Sequence, residues 1–120
     1  MASTKIVTAI WNAQTLTAGA GDTTSTAVVL DDGYGAQLHV KLTNGATGPT
    51  VAAQVQIQVS ADNSEWYKFG PALKGLTSNS GIESWSIEVP IGVEYLRLVG
   101  GSNTGQNVTV EADISEVTAL

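Results

Sequence analysis

The fold of this chain is decided by the stretch Gln54–Ser60, which reads QVQIQVS. Branched apolar residues stand at Val55, Ile57 and Val59, and glutamines occupy the positions between them. Because successive side chains of a β-strand point to opposite faces, this alternation predicts a strand with one buried and one solvated face. One wet and one dry face is typical of antiparallel sheets.

The same alternation of period two recurs along the rest of the sequence, at residues 37–42, 84–89 and 108–115. Shorter candidate strands lie at residues 5–11, 26–30, 65–69 and 93–99. The segments between them are rich in Gly, Asn, Asp and Pro, which form turns. We therefore predict an all-β domain of about eight strands, folded as an antiparallel two-sheet sandwich. Its topology, jelly-roll or immunoglobulin-like, stays open at this point.

A length of 120 residues is typical of one domain, so residues 1–120 are expected to form a single sandwich. Three segments are candidates for arms or long loops. The N-terminal residues Met1–Thr8 could form an arm, and Thr15–Thr26 and Gly70–Gly81 are polar and glycine-rich. Loops of this length are uncommon unless they have a role.

The charge balance argues against two classes of partner. Five Lys and Arg against eleven Asp and Glu give a formal net charge of −6. Nucleic-acid binding depends on basic groups that displace counterions from phosphates, and anionic membranes attract basic clusters. We therefore expect no nucleic-acid and no membrane partner. The first ten residues contain no long apolar run and predict no secretion signal.

The sequence contains no pattern that predicts catalysis, a metal site or a cofactor. His39 is the only histidine and there is no cysteine, which argues against zinc. The carboxylates of Asp31-Asp32 and of residues 62–65 stand where turns use Asp and Asn to bond their own backbone. We expect His39 to be solvated on a strand and the chain not to be an enzyme.

Aromatic residues are the best candidates for recognition, because Trp and Tyr concentrate binding energy at interfaces. Alternation places Trp85 with the buried residues of its strand. Trp66 and Tyr67 are adjacent, so at least one of them must point away from the core. We select Trp11, Trp66 and Tyr67 as interface anchors, and a sugar-binding platform remains an alternative role for Trp66 or Tyr67.

Three stretches carry a resemblance to a known class of proteins. The first comprises residues 33–36, 42–45 and 48–52, the second is residues 55–67 with the sequence VQIQVSADNSEWY, and the third is residues 88–97 followed by residues 105–110. Together they resemble the small virion structural proteins of tailed bacteriophages, over almost the whole chain. The resemblance implies a β-sandwich carried on the phage particle, of the capsid decoration (cement) type, without catalytic residues.

The same resemblance implies that the major capsid protein is the partner and that the chain is a homo-oligomer, with a trimer favoured. It would be made in the host cytoplasm and would lie on the outer capsid surface. Two alternatives remain: a tail, baseplate or head-fibre module, and a carbohydrate-binding module.

Overall fold

The structure is a computed structural model, which describes residues 4–30 and 34–119 and, of Ala119, only the backbone. The described residues form ten β-strands and no helix. The strands are β1 Thr4–Leu16, β2 Thr23–Thr24, β3 Val28–Val29, β4 Ala36–Asn44, β5 Gln54–Ser60, β6 Tyr67–Lys68, β7 Leu73–Lys74, β8 Ile82–Val89, β9 Tyr95–Gly101 and β10 Val108–Ala119.

The strands form two antiparallel sheets. Sheet A has the order β1-β10-β4-β8, and sheet B has the order β2-β9-β5-β6. Strand β3 pairs with β9 along the same edge as β2. In the same way, β7 pairs with β5 along the same edge as β6. The all-β sandwich predicted from the sequence is thereby confirmed.

The pairing also identifies the topology. We take β2 with β3 as one interrupted strand, and β6 with β7 as another. Strand β1 then pairs with β10, β2 and β3 pair with β9, β4 pairs with β8, and β5 pairs with β6 and β7, so that the pairs are nested from the ends of the chain inward. That is the connectivity of one long hairpin rolled up into two sheets, which is a jelly roll. Of the two topologies left open by the sequence, the structure has this one.

The core lies between the inner faces of the two sheets. Its residues are the apolar members of the alternating strands, as expected for a sandwich. They include Leu38, Val40 and Leu42 from β4, Val55 and Ile57 from β5, Leu96 and Leu98 from β9, and Val108, Val110 and Ile114 from β10. Trp85 and Ile87 of β8 pack against this cluster, as the alternation predicts.

Two buried asparagines fasten loops to the sandwich. The Asn103 Nδ2 donates to the carbonyl oxygens of Leu16 and Gln106, both at 2.9 Å. The Asn44 Nδ2 donates to the carbonyl oxygens of Leu76 and Ser78, at 3.0 and 2.9 Å. These bonds satisfy backbone acceptors that the loops would otherwise leave unpaired.

The segments predicted as arms and loops contain strands. Thr4–Thr8 pair with β10 as the first part of β1, while Met1–Ser3 lie outside the described residues. The segment Thr15–Thr26 contains the end of β1 and all of β2, and Gly70–Gly81 contains β7. Asp31 and Asp32 of the first predicted turn lie outside the described residues. No helix in the described part of the chain is long and apolar enough to cross a membrane.

Strand β1 is an irregular edge strand. Its register against β10 shifts between Thr4 and Lys5, between Ala9 and Trp11, and between Trp11 and Gln14. Each shift is a β-bulge or irregularity of the kind that increases twist at sheet edges. Ala13 has a φ of 58°, a left-handed conformation that is strained for a residue with a Cβ.

Candidate interaction surfaces

A rigid turn holds the aromatic pair that the sequence singles out. The Asp62 Oδ1 accepts hydrogen bonds from the backbone N–H groups of Ser64 and Glu65, both at 2.9 Å, and from the Ser60 hydroxyl at 3.0 Å. These bonds stabilise the carboxylate and lower the pKa of Asp62 below its usual 3.8. Asn63, with a φ of 59°, completes the turn, and Trp66 and Tyr67 follow it directly.

Trp66 lies on the outer side of sheet B, where it stacks on a cation. The Arg97 guanidinium carbon is 4.2 Å from the centroid of a Trp66 ring, which is a cation–π contact. The Arg97 Nε donates to the Gln58 Oε1 at 2.8 Å, and Gln58 and Arg97 are direct cross-strand partners. Trp66 is half-buried, so part of the indole faces solvent.

Tyr67 is more exposed than its neighbour Trp66. It opens β6 and is 63% exposed, and its hydroxyl donates to the Glu65 Oε2 at 3.2 Å. We call Trp66, Tyr67 and Arg97 the aromatic corner. Two of the three selected interface residues are therefore at the surface: Trp66 on the outer face of sheet B, and Tyr67, the partner of the inner-face residue Val59, at the edge of that sheet.

Trp11 lies elsewhere, in the core. It is only 7% exposed and belongs to the buried cluster, so its ring is not presented to a partner by the folded chain. The cause is the bulge that precedes it: Ala9 pairs with Asp113 of the outer face, whereas Trp11 pairs with Ala112 of the inner face. One extra residue reverses the side to which a strand residue points. Gly100 makes room for the ring, because a Cβ there would lie 3.3 Å from it.

The outer face of sheet B carries a shallow polar groove. Its floor contains the outward glutamines of β5, and its rims contain Asp22, Lys68 and Ser102. The Gln56 Nε2 donates to the carbonyl oxygen of Gly70 at 3.1 Å, which ties the loop after β6 to this face. Three of the five basic residues, Lys68, Lys74 and Arg97, pair in register with these glutamines.

The outer face of sheet A carries paired charges in direct cross-strand register. His39 Nδ1 and Asp113 Oδ1 are 2.9 Å apart, and the Lys41 Nζ lies 3.4 Å from the Glu111 Oε2. All four side chains are about half exposed. His39 is thus on the solvated face predicted for it. Within residues 4–30 and 34–119, no group of three or more histidines or carboxylates is placed to hold a metal ion.

Sequence reasoning did not select Arg97, which completes the aromatic corner. The alternation of Leu96, Arg97 and Leu98 is enough to place Arg97 on the outer face of its strand. Its contact with Trp66 depends on the pairing of β5 with β9, which are far apart in sequence. A local pattern contains no information about that pairing.

Comparison with known proteins gives likenesses of fold. No protein-family model and no curated protein matches the chain. Among solved structures, the VP2 subviral particle of infectious bursal disease virus matches with a TM-score of 0.61 and 8% identity, over 97% of this chain and 33% of that chain. The enzymatically active domain of tailspike protein 4 of bacteriophage CBA120 matches with a TM-score of 0.54 and 11% identity, over 95% of this chain and 19% of that chain.

The chain therefore spans a third or less of the length of these two proteins. At such identities the likeness concerns the fold alone. The chain has a β-sandwich of the kind that occurs within a viral capsid protein and within a phage tailspike.

Proposed function

We propose that this chain is a structural protein of a bacteriophage particle, which binds the major capsid protein on the outer capsid surface and stabilises the shell. The resemblance in sequence pattern motivates the proposal, and the jelly roll is compatible with it, although this fold hosts many functions. The observation that carries it is the aromatic corner, in which Trp66 and Arg97 stack on the outer face of sheet B and Tyr67 is exposed at the edge of the same sheet.

The composition and the rigidity of the corner both favour binding. Trp, Tyr and Arg are the residue types that most often dominate the binding energy of interfaces. The Asp62 turn and the Gln58–Arg97 hydrogen bond fix the backbone and one side chain before any partner arrives. Groups that are ordered in advance lose less conformational entropy on binding.

The proposed mode of action is a clamp repeated many times. Each contact between one copy and the coat could be weak, because contacts repeated over a symmetric shell act together through high effective concentration. A domain with a single shared core is a suitable clamp, since it transmits load between partners without deforming.

The test is to add the purified chain to particles from which it has been removed and to measure the bound fraction by sedimentation. We expect replacement of Trp66 and Tyr67 together by alanine to weaken binding by at least about 2 kcal/mol, roughly thirtyfold. The matched control is Ile82→Ala, which truncates an exposed apolar residue of sheet A. Equal binding by the double variant and the control would contradict the role of the corner, and no binding by the unchanged chain would contradict the function.

A second candidate function, glycan binding, is favoured by one observation. The groove of sheet B presents the amide groups of Gln54, Gln56 and Gln58 in a row that leads toward Trp66. Amides and an aromatic ring are groups that recognise sugar hydroxyls and ring faces. Titration with soluble oligosaccharides separates the two functions: saturable quenching of tryptophan fluorescence, lost in Trp66→Phe, would support the glycan-binding candidate.

A further inference from the structure

One edge of sheet A is open. Strand β1 pairs with β10 on one side, and no other strand of the described chain pairs with its second side. Residues Thr4–Ala9 are exposed, and Ile6 and Val7 are 52% and 67% exposed although both are apolar. Unpaired N–H and C=O groups on such an edge are a template for another strand.

The other edges of the sandwich are protected against strand addition. Both edges of sheet B consist of two-residue strands separated by loops. The remaining edge of sheet A, β8, carries Glu88 and the half-buried Glu83, which pairs with the core residue Leu42. Short edge strands and inward-pointing charges are devices that prevent edge-to-edge association.

The bulges of β1 delimit a regular run within the open edge. From Lys5 to Ala9 the register against β10 advances without a shift, and irregularities lie directly before and after this run. The run contains five residues and its centre is Val7. An antiparallel partner strand needs such a regular template, and bulges would interrupt its hydrogen bonding.

We propose that a second copy of this chain pairs with the run Lys5–Ala9 in antiparallel orientation, around a two-fold axis at Val7. This register maps the regular run onto itself, with Val7 opposite the partner's Val7, Ile6 opposite the partner's Thr8, and Lys5 opposite the partner's Ala9. Sheet A becomes one continuous sheet across the two copies. The interface is isologous, the commonest form of contact between identical subunits.

The charges on the outer face complement each other in this register. Ala9 pairs with Asp113 on β10, so the partner's Lys5 lies opposite Ala9 and two strands away from Asp113. Two strand spacings amount to about 10 Å between backbones. The small Ala9 side chain leaves the space between free, and a lysine side chain is long enough to bring its ammonium group toward the Asp113 carboxylate. No like charges are directly opposite each other.

The proposed contact implies a dimer in solution, in place of the trimer expected from the sequence resemblance. Five paired residues bury less surface than a standard stable interface of about 1,600 Å². The dimer is therefore expected to be concentration-dependent, and it can be measured on the purified chain without any capsid. The result is independent of the proposed function.

The first test uses cysteine cross-linking. The chain has no cysteine of its own, so any disulfide must form between the introduced residues. Directly opposite residues of antiparallel strands have Cα atoms about 4.5–5.5 Å apart, within the range that a disulfide spans. We expect Val7→Cys to form a covalent dimer under mild oxidation. The matched control, Ile82→Cys on the protected β8 edge of the same sheet, should remain mostly monomeric. Absence of the Val7 cross-link, or equal yields from both variants, would overturn the proposal.

The second test uses sedimentation equilibrium over a range of concentrations. Val7→Lys places two lysines opposite each other and should raise the dimer dissociation constant by about tenfold or more. Lys5→Glu should also weaken the dimer, and the exchange Lys5→Glu with Asp113→Lys should restore it. A trimer, a monomer at every concentration, or a dimer that Val7→Lys leaves unchanged would each contradict the proposal.

Discussion

The two sheets share one core, yet their edges differ sharply. In sheet A all four strands are continuous, with 13, 12, 9 and 8 residues in β1, β10, β4 and β8. In sheet B only β5 and β9 are full strands, of seven residues each, and the flanking strands are two-residue pieces. Burial of the inner faces alone does not determine how much of a sheet's edge is open to a partner.

The difference has a cause in the sequence. The stretch that lies beside β5 contains Gly70 and Pro71, which interrupt pairing and separate β6 from β7. The opening segment of β1 contains Thr4, Ile6, Val7 and Thr8, which are all β-branched and favour extended structure. Sheet B therefore offers its outer face and corner to a partner, whereas sheet A offers its edge.

The largest expected difference in stability separates Trp11, in β1 of sheet A, from Trp66, directly before β6 of sheet B. Trp11→Ala removes a buried ring and should lower the free energy of unfolding by about 3–5 kcal/mol. Trp66→Ala removes a surface cation–π contact and should cost about 1 kcal/mol or less. Urea unfolding of both variants measures this, and equal losses would break the distinction between a core and a surface tryptophan.

A smaller loss of stability is expected at the contact between the end of β1 in sheet A and the loop after β9 of sheet B. Asn103→Ala removes the hydrogen bonds to Leu16 at the end of β1 and to Gln106 in the loop after β9. Because a buried carbonyl is left without a partner, we expect a loss of about 1–3 kcal/mol. Asn12→Ala, at an exposed position of β1, is the control and should stay within about 0.5 kcal/mol of the unchanged chain. A loss in the control as large as that in Asn103→Ala would refute the assignment.

The irregularity of β1 between Trp11 and Gln14 allows a stabilising substitution. Ala13 has a φ of 58°, which glycine adopts without the steric penalty of a Cβ. Ala13→Gly should therefore raise the free energy of unfolding by up to about 1 kcal/mol. The same change at Ala9, within the regular run, should destabilise, because glycine weakens a regular strand. Thermal unfolding of the two variants should move in opposite directions.

The smallest effect concerns the turn that supports the corner of sheet B. Hydrogen bonds to the carboxylate hold the pKa of Asp62 below 3.8, so their contribution to stability is present above that pH and is lost as the pH falls through the folded-state pKa. Asp62→Asn removes this titration. We expect the variant to be slightly less stable than the unchanged chain at neutral pH, and the difference to shrink as the pH falls below 3.8. A difference that is constant with pH would exclude this role for the carboxylate.

The sequence predicts much of the fold because half-buried strands have a visible period. The alternation in β4, β5, β8 and β10 identifies those strands and their inner faces correctly. The short strands of sheet B were predicted too long or as loops, because their extended structure depends on pairing with β5 and β9. The choice of a jelly roll depends on the same non-local pairing.

The candidate site was predictable only in part. Trp66 and Tyr67 follow an Asp turn that is visible in the sequence, and both are at the surface. The burial of Trp11 was not predictable, because the bulge after Ala9 turns this side chain to the inner face and a bulge has no local signature in this stretch. The open edge became visible only when the strand order of sheet A was known.

The most direct test of the proposed function is the copy number of this chain relative to the major capsid protein in purified particles, measured by quantitative mass spectrometry. Decoration of the capsid predicts a ratio of one copy per coat subunit or a simple fraction of it. A handful of copies per particle would contradict decoration and would place the chain in the tail or in a fibre. Complete absence from particles would refute a virion role altogether.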